Sequence, residues 1–203
     1  MRFLISNILI LFLLIPNVWA GELIEKEMSY SIGLVNASYV ESQSTLTGKN
    51  VTQASSGSVS SMSGQINYKF APGLERSSYF SGTFPLLPNP TGSYFGAHFG
   101  SEFYFGSSSG SKVNYSHSGT SIKLKPKNLF FWSLEGGLGY LVYNTVTAKK
   151  TDILLDLGAN LGMLYTFSER VRMRGTLGMT RGTGVATTTM EMKAFVGLTY
   201  FAD

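Results

Sequence analysis

The stretch 152–181 carries the longest two-residue periodicity in the chain, and it limits what the chain can become. Ile153, Leu155, Leu157, Ala159, Leu161, Met163, Tyr165 and Phe167 take alternate positions, and all are apolar. Between them stand Asp152, Leu154, Asp156, Gly158, Asn160, Gly162, Leu164 and Thr166, mostly polar or very small. Ser168 and Glu169 interrupt the run. The alternation then resumes, with Val171, Met173, Leu177 and Met179 in one phase and Arg170, Arg172, Arg174, Thr176 and Thr180 in the other. A strand sends successive side chains to opposite faces, so this is a hairpin with one apolar and one polar face.

Length identifies the solvent. Strands in water-soluble sheets usually run about 5–6 residues, and these are far longer. A tilted strand crosses a bilayer in roughly 9–11 residues. Arginines facing hydrocarbon would each cost about 2–4 kcal/mol near the midplane. The arginine row must therefore face a lumen, and the leucine row lipid. An open sheet edge is not tolerated in lipid, so the sheet must close. The expected fold is all-β, a transmembrane antiparallel up-and-down β-barrel. A soluble lipocalin-like barrel would put the arginine row in a core or the leucine row in water.

The start of the chain supplies an address. Arg2, the apolar run Phe3–Ile15 and the small-residue pattern Val18-Trp19-Ala20 read as a signal peptide over residues 1–20. The barrel domain is expected over 21–203, in the outer membrane of a two-membrane bacterium. Cysteine is absent, which excludes a disulfide framework, a thiolate metal site and a cysteine nucleophile. The net charge of +4 is small and dispersed, so nucleic acid is not an expected partner.

Alternation and turn residues divide the remainder. Residues 21–27 read as a charged lead-in, and the first strand starts near Met28, with polar character taking over by Asn36–Glu41. Residues 42–58 read as a long solvated loop. Further strands are expected at 59–71, 77–87, 93–105, 129–143 and 189–201. The loops 88–92, 144–150 and 182–188 fall on the outer side with 42–58, and the turns 72–76 and 168–169 on the periplasmic side. Short periplasmic turns and longer outer loops are usual in such barrels. Residues 106–128 are ambiguous: they form either a periplasmic excursion, giving eight strands, or a hairpin turning at His117–Thr120, giving ten. Eight is the expected number, with ten as the alternative.

The inward phase of these strands carries Lys69, Glu102, Glu135, Asp152, Asp156, Arg170, Arg172, Arg174, Glu191 and Lys193. An eight-stranded barrel has room only for side chains, and charges short of water must pair. The expectation is an ion-pair network of Lys69, Glu102, Glu135, Arg172 and Arg174 filling the lower lumen. Its functional counterpart is a gated ion path. His98 and Glu102 share the inward phase and suggest a lumen hydrogen-bond network. Two histidines so placed make a poor metal site, and no cofactor is expected. Lys112, Lys123, Lys125 and Lys127 form a basic run with no acid inside it, suited to phosphates of lipopolysaccharide or phospholipid. Loop 42–58 is the candidate for a surface ligand.

The turn YTFSERVRMRG, the strand EGGLGY and the ending AFVGLTYF, together with the signal peptide, resemble the OmpA/OmpX-type family of small outer-membrane barrels. The resemblance covers roughly 28–203. It implies that the final strand is read by the barrel-assembly machinery, with Gly197 and Tyr200 at the matching places. Ala202 and Asp203 after Phe201 depart from the usual aromatic end. The family includes adhesins, envelope stabilisers and resistance factors. Some small barrels of this kind modify lipid A, and the deacylases among them use a His followed two positions later by a Ser. Here His117 is followed by Ser118 and then Gly119, so that spacing fails. The reading is a barrel with a structural or surface-interaction role and no catalysis. The alternatives are a lipid A-modifying enzyme, or a narrow channel if ten strands form.

Overall fold

The computed structural model describes residues 26–41, 56–72, 76–87, 89–105, 113–117, 120–124, 127–145, 148–168 and 170–202. The signal-peptide expectation and most of loop 42–58 lie outside the described residues. Among the described residues ten strands follow one another: β1 Lys26–Glu41, β2 Ser56–Pro72, β3 Arg76–Pro85, β4 Gly92–Phe105, β5 Val113–His117, β6 Thr120–Leu124, β7 Asn128–Asn144, β8 Lys149–Thr166, β9 Val171–Gly184 and β10 Thr187–Ala202. Eight of them close a barrel in the order β1-β10-β9-β8-β7-β4-β3-β2. All neighbouring pairs are antiparallel. Residues 106–128 do contain a hairpin turning between His117 and Thr120, but β5 and β6 pair with each other and stay out of the barrel sheet. The ten-stranded alternative is thereby corrected. β4 and β7 pair directly over fourteen residues each and leave no gap for another strand.

The apolar phase faces outward as the alternation requires. Ile153, Leu155, Leu157, Leu161, Leu177, Met192 and Val196 are more than half exposed on the outer wall. The wall is unevenly built. Its β2–β3–β4–β7 side is aromatic, with Phe70, Phe80 and Phe99 mutually within 5.8 Å and Phe103 stacked on Trp132 at 4.4 Å. Its β8–β9–β10–β1 side is mainly aliphatic, with Tyr30 and Tyr200 as an outward aromatic pair. Among the described residues, every carboxylate sits in the lumen or at its rim.

β1 starts and β10 ends on one side of the barrel, here called the proximal end. The connections 73–75, 106–127 and 167–170 share that end, and 42–55, 86–91, 145–148 and 185–186 lie at the distal end. Several strands run further than turn composition suggests. β1 continues to Glu41 because the polarity inverts beyond Leu34: Val35, Ala37 and Tyr39 are buried inside while Asn36 and Ser38 are exposed outside. Over this stretch β1 resembles a strand of a soluble barrel, with an apolar inward phase and Asn36 and Ser38 outward. β2 begins at Ser56 rather than 59 because the Tyr39 ring lies over Gly57, where an added Cβ would come within 2.6 Å of the Tyr39 hydroxyl.

The expected loop 182–188 is only the turn Val185–Ala186. Asp152 shortens it: its Oδ2 accepts from the Ala186 and Thr187 amides at 3.0 and 2.8 Å and from the Thr187 hydroxyl at 2.8 Å. The break after β3 is set by Asn89, whose Oδ1 accepts from the Thr91 amide and hydroxyl. Gly92 then re-enters the sheet at φ +143°, where a Cβ would strike the Val142 carbonyl at 2.1 Å.

Candidate functional site

Among the described residues, the charged side chains gather in the lumen, and they do so in layers. In the proximal layer Glu102 of β4 receives Lys69 of β2 at 2.6 Å and Arg174 of β9. Lys69 also lies 3.2 Å from Glu27. Tyr104 knits the group together, accepting from Lys69 at 3.0 Å and donating to Ser77 at 2.8 Å. Lys69, Glu27 and Glu102 have fully buried side chains. The Arg174 guanidinium also stacks 4.4 Å from the Phe131 ring. Tyr104, Leu129, Phe131 and Leu164 pack as an apolar cluster beside it.

Glu135 sits one layer further along. Lys193 of β10 lies 3.3 Å from it, and the Tyr79 hydroxyl donates to it at 3.0 Å. Lys193 is also 3.6 Å from Glu191. Next comes Asp156 of β8, which accepts from Tyr94 at 2.6 Å and stands 3.1 Å from His98 Nε2. A Tyr94–His98 contact of 3.3 Å closes that triangle. Gly96, Gly137 and Gly139 make room for it: a Cβ at any of them would come within 3.0 Å of the Tyr94, His98 or Asp156 side chains.

The distal layer is apolar, built from Val35, Ala37, Tyr39, Val59, Tyr94, Leu141, Tyr143, Leu154 and Phe195. At its mouth, β1 and β7 lie diametrically opposite in the strand order. They nevertheless touch: the Tyr39 and Tyr143 rings are 4.5 Å apart, and Glu41 accepts from Tyr143 and from Lys150, both at 2.8 Å. These contacts cross the opening rather than line it.

Of the five lumen residues singled out from the sequence, Lys69, Glu102 and Arg174 meet. Glu135 takes Lys193 instead, a layer away. Arg172 packs 4.7 Å from the Phe201 ring and donates from Nε to Thr166 at 3.0 Å. Glu27, placed by its neighbours in a charged lead-in, belongs to the proximal layer because β1 pairs Glu27 directly with Lys69. Arg170 is not inward: it is exposed at the β8–β9 turn. His98 pairs with Asp156 and not with Glu102, a partner 58 residues away that only the closed register brings near. Of the basic run, Lys112 and Lys125 lie outside the described residues. Lys123 stands opposite Asn114 in the β5–β6 hairpin, and Lys127 is exposed at the proximal rim with Nζ 5.8 Å from the Tyr165 ring. Lys127 does not join the lumen layers. His117 ends β5, outside the barrel.

No family model matches this sequence, and no curated protein sequence does. Solved structures do. The N-terminal β-barrel domain of Pseudomonas aeruginosa OprF aligns with a TM-score of 0.51 at 9% identity, covering 85% of this chain and 97% of that one. Neisserial surface protein A aligns at 0.49 and 10% identity, covering 84% and 96%. The attachment invasion locus protein Ail of Yersinia pestis aligns at 0.44 and 11% identity, covering 87% and 100%. The OprF likeness is one of fold: like that domain, this chain closes an eight-stranded antiparallel barrel.

Proposed function

We propose that this chain is a small outer-membrane barrel with a structural or surface-interaction role, non-catalytic, its lumen filled by side chains. The observation that carries the reading is the cross-linking of the lumen by Lys69, Glu102 and Arg174, capped at the distal end by the Tyr39–Tyr143 contact. A hydrated conduit needs a continuous polar passage, and here an apolar layer lies above the charged ones. Acid–base catalysis needs a group that substrate can reach. His98 and Asp156 are 3% and 0% exposed, which supports a packing role for their contact.

The proximal end faces the periplasm in this reading, since a secreted chain threads in from that side and its ends stay there. The distal loops, 42–55 above all, are then the surface available to a ligand, with lipopolysaccharide around them. The barrel-assembly machinery reads β10 during insertion.

Two measurements test this. Liposomes holding the refolded chain should swell in arabinose no faster than empty ones, and faster swelling would move the channel reading to the front. Mass spectrometry of lipid A from cells expressing the chain should show no new species. A new species lost in His98→Ala or His117→Ala would establish the enzyme instead.

A further inference from the structure

Arg181 has no part in the reading above. It is exposed on β9, in the same outward phase as Met179 and Leu177. A guanidinium on a lipid-facing wall is costly at the midplane and tolerated near an interface, so its depth matters. The register gives that depth. The rung that leaves β1 at Ser38 passes through Met190, Arg181, Leu157, Gly136 and Phe99 and returns to β1 at Met28, ten residues nearer the proximal end. Shared over the eight strands, that shear lowers the rung by about 1.25 residues at each step. Arg181 is two strands from Ser38 and so lies about 2.5 residues below it, level with Val35 and Asn36. At that level the outward phase of β1 changes from Leu34 to Asn36. The outward rings of Phe95 and Tyr140, 6.2 Å apart, fall within about two residues of the same level. Polar onset and an aromatic belt both mark the change from hydrocarbon to headgroups.

The wall on the proximal side of Arg181 is grooved. Gly175 and Ala194 form the floor, and Leu161, Met163, Leu177 and Val196 the sides. A Cβ built at Gly175 would meet nothing within 4 Å. On the distal side of Arg181, Thr183 of β9 stands opposite Thr188 of β10, both in the outward phase. A ligand at this place therefore meets a cation and two hydroxyls at headgroup level, with an apolar channel running into the hydrocarbon beneath them. Among the described residues no carboxylate shares that outer face. The complementary occupant has an anionic, hydroxyl-rich headgroup and acyl chains.

We propose that Arg181, flanked by Thr183 and Thr188, binds a phosphate of lipid A, and that one acyl chain of the same lipid lies in the groove over Gly175. The choice of lipopolysaccharide rests on the orientation proposed above, which turns the distal end to the outer leaflet.

The chain is refolded into dodecyl maltoside micelles and offered bisphosphorylated lipid A and phosphatidylglycerol at equal concentration. Native mass spectrometry reads the fraction that carries one lipid, and heat-modifiable gel migration establishes that each variant has folded. Lipid A should be retained in preference to phosphatidylglycerol. Arg181→Gln should lower its retention about fivefold, the effect of one basic residue beside anionic headgroups. Gly175→Leu leaves the charge in place but fills the groove, and it should lower retention as well. Arg76→Gln removes an exposed arginine from the proximal end and should change nothing. Unchanged retention in Arg181→Gln, an equal loss in Arg76→Gln, or equal retention of phosphatidylglycerol would overturn the proposal. Unchanged retention in Gly175→Leu would overturn the acyl seat. The orientation is read separately in intact cells with an impermeant maleimide, since the chain has no cysteine of its own. Labelling of Val185→Cys supports the outer leaflet, and a folded Val185→Cys chain that stays unlabelled overturns that placement whatever the micelles show.

Discussion

Glu102 on β4 and Arg174 on β9 meet inside the barrel with two strands, β7 and β8, between them, and both side chains are at most 3% exposed. A pair of this kind is held by its neighbours as much as by its own charges: Lys69 approaches Glu102 from the other side, and Phe131 covers the guanidinium. Removing one member leaves a charge stranded away from water. Arg174→Ala should therefore lower unfolding stability in micelles by about 3–5 kcal/mol, read from the urea midpoint. Glu102→Gln with Arg174→Met should cost less than the two single changes summed. Additive costs would mean that the pair is not coupled.

Asp152 fastens the β9–β10 turn through two amides and one hydroxyl. Hydrogen bonds to a charged acceptor contribute about 1.5–3 kcal/mol each in favourable settings. Asp152→Ala should speed hydrogen exchange at the Ala186 and Thr187 amides by at least tenfold while leaving the proximal strands unchanged. Unaltered exchange at those two amides would show that the turn holds itself.

The Gly92 position admits no side chain without strain. Its φ of +143° is hostile to L residues, and the Val142 carbonyl occupies the place of a Cβ. Gly92→Ala should cost about 1–3 kcal/mol and perturb the amide resonances of the neighbouring Tyr143 and Asn144. Wild-type stability in this variant would contradict the assigned geometry.

The distal mouth should respond to acid. The Glu41 carboxyl is held below its ordinary range by the hydrogen bond from Lys150 first and from Tyr143 second. A lowered folded value means that the carboxylate stabilises the mouth above its unfolded pKa of about 4.3. That contribution is lost as pH falls through the lower folded value. Lys150 is 46% exposed, so the effect is small and weakens with salt. Thermal midpoints measured from pH 6 to 3 should drop less in Glu41→Gln than in wild type. Parallel curves would remove Glu41 from the account.

The parts of this fold that were legible in sequence are those set by local periodicity. The 152–181 hairpin announces a closed membrane sheet because its two phases differ so strongly in polarity, and the inward placement of Glu102, Arg174 and Lys193 follows from counting by two. Partner choice was not legible. Glu135 with Lys193 and His98 with Asp156 depend on how far the sheet shears as it closes, which no single strand records. Glu27 was hidden for a different reason: its charged neighbours resemble a tail, although β1 already carries it opposite Lys69. The inversion beyond Leu34 was hidden because an inward Val35, Ala37 and Tyr39 beside outward Asn36 and Ser38 looks like the fading of a strand when only lipid is considered as the solvent.

The central claim is that side chains close the lumen, and single-channel recording of the refolded chain in a planar bilayer tests it most directly. The account predicts a silent bilayer from protein whose gel migration is heat-modifiable. Steady, discrete conductance steps from that same folded protein would contradict it.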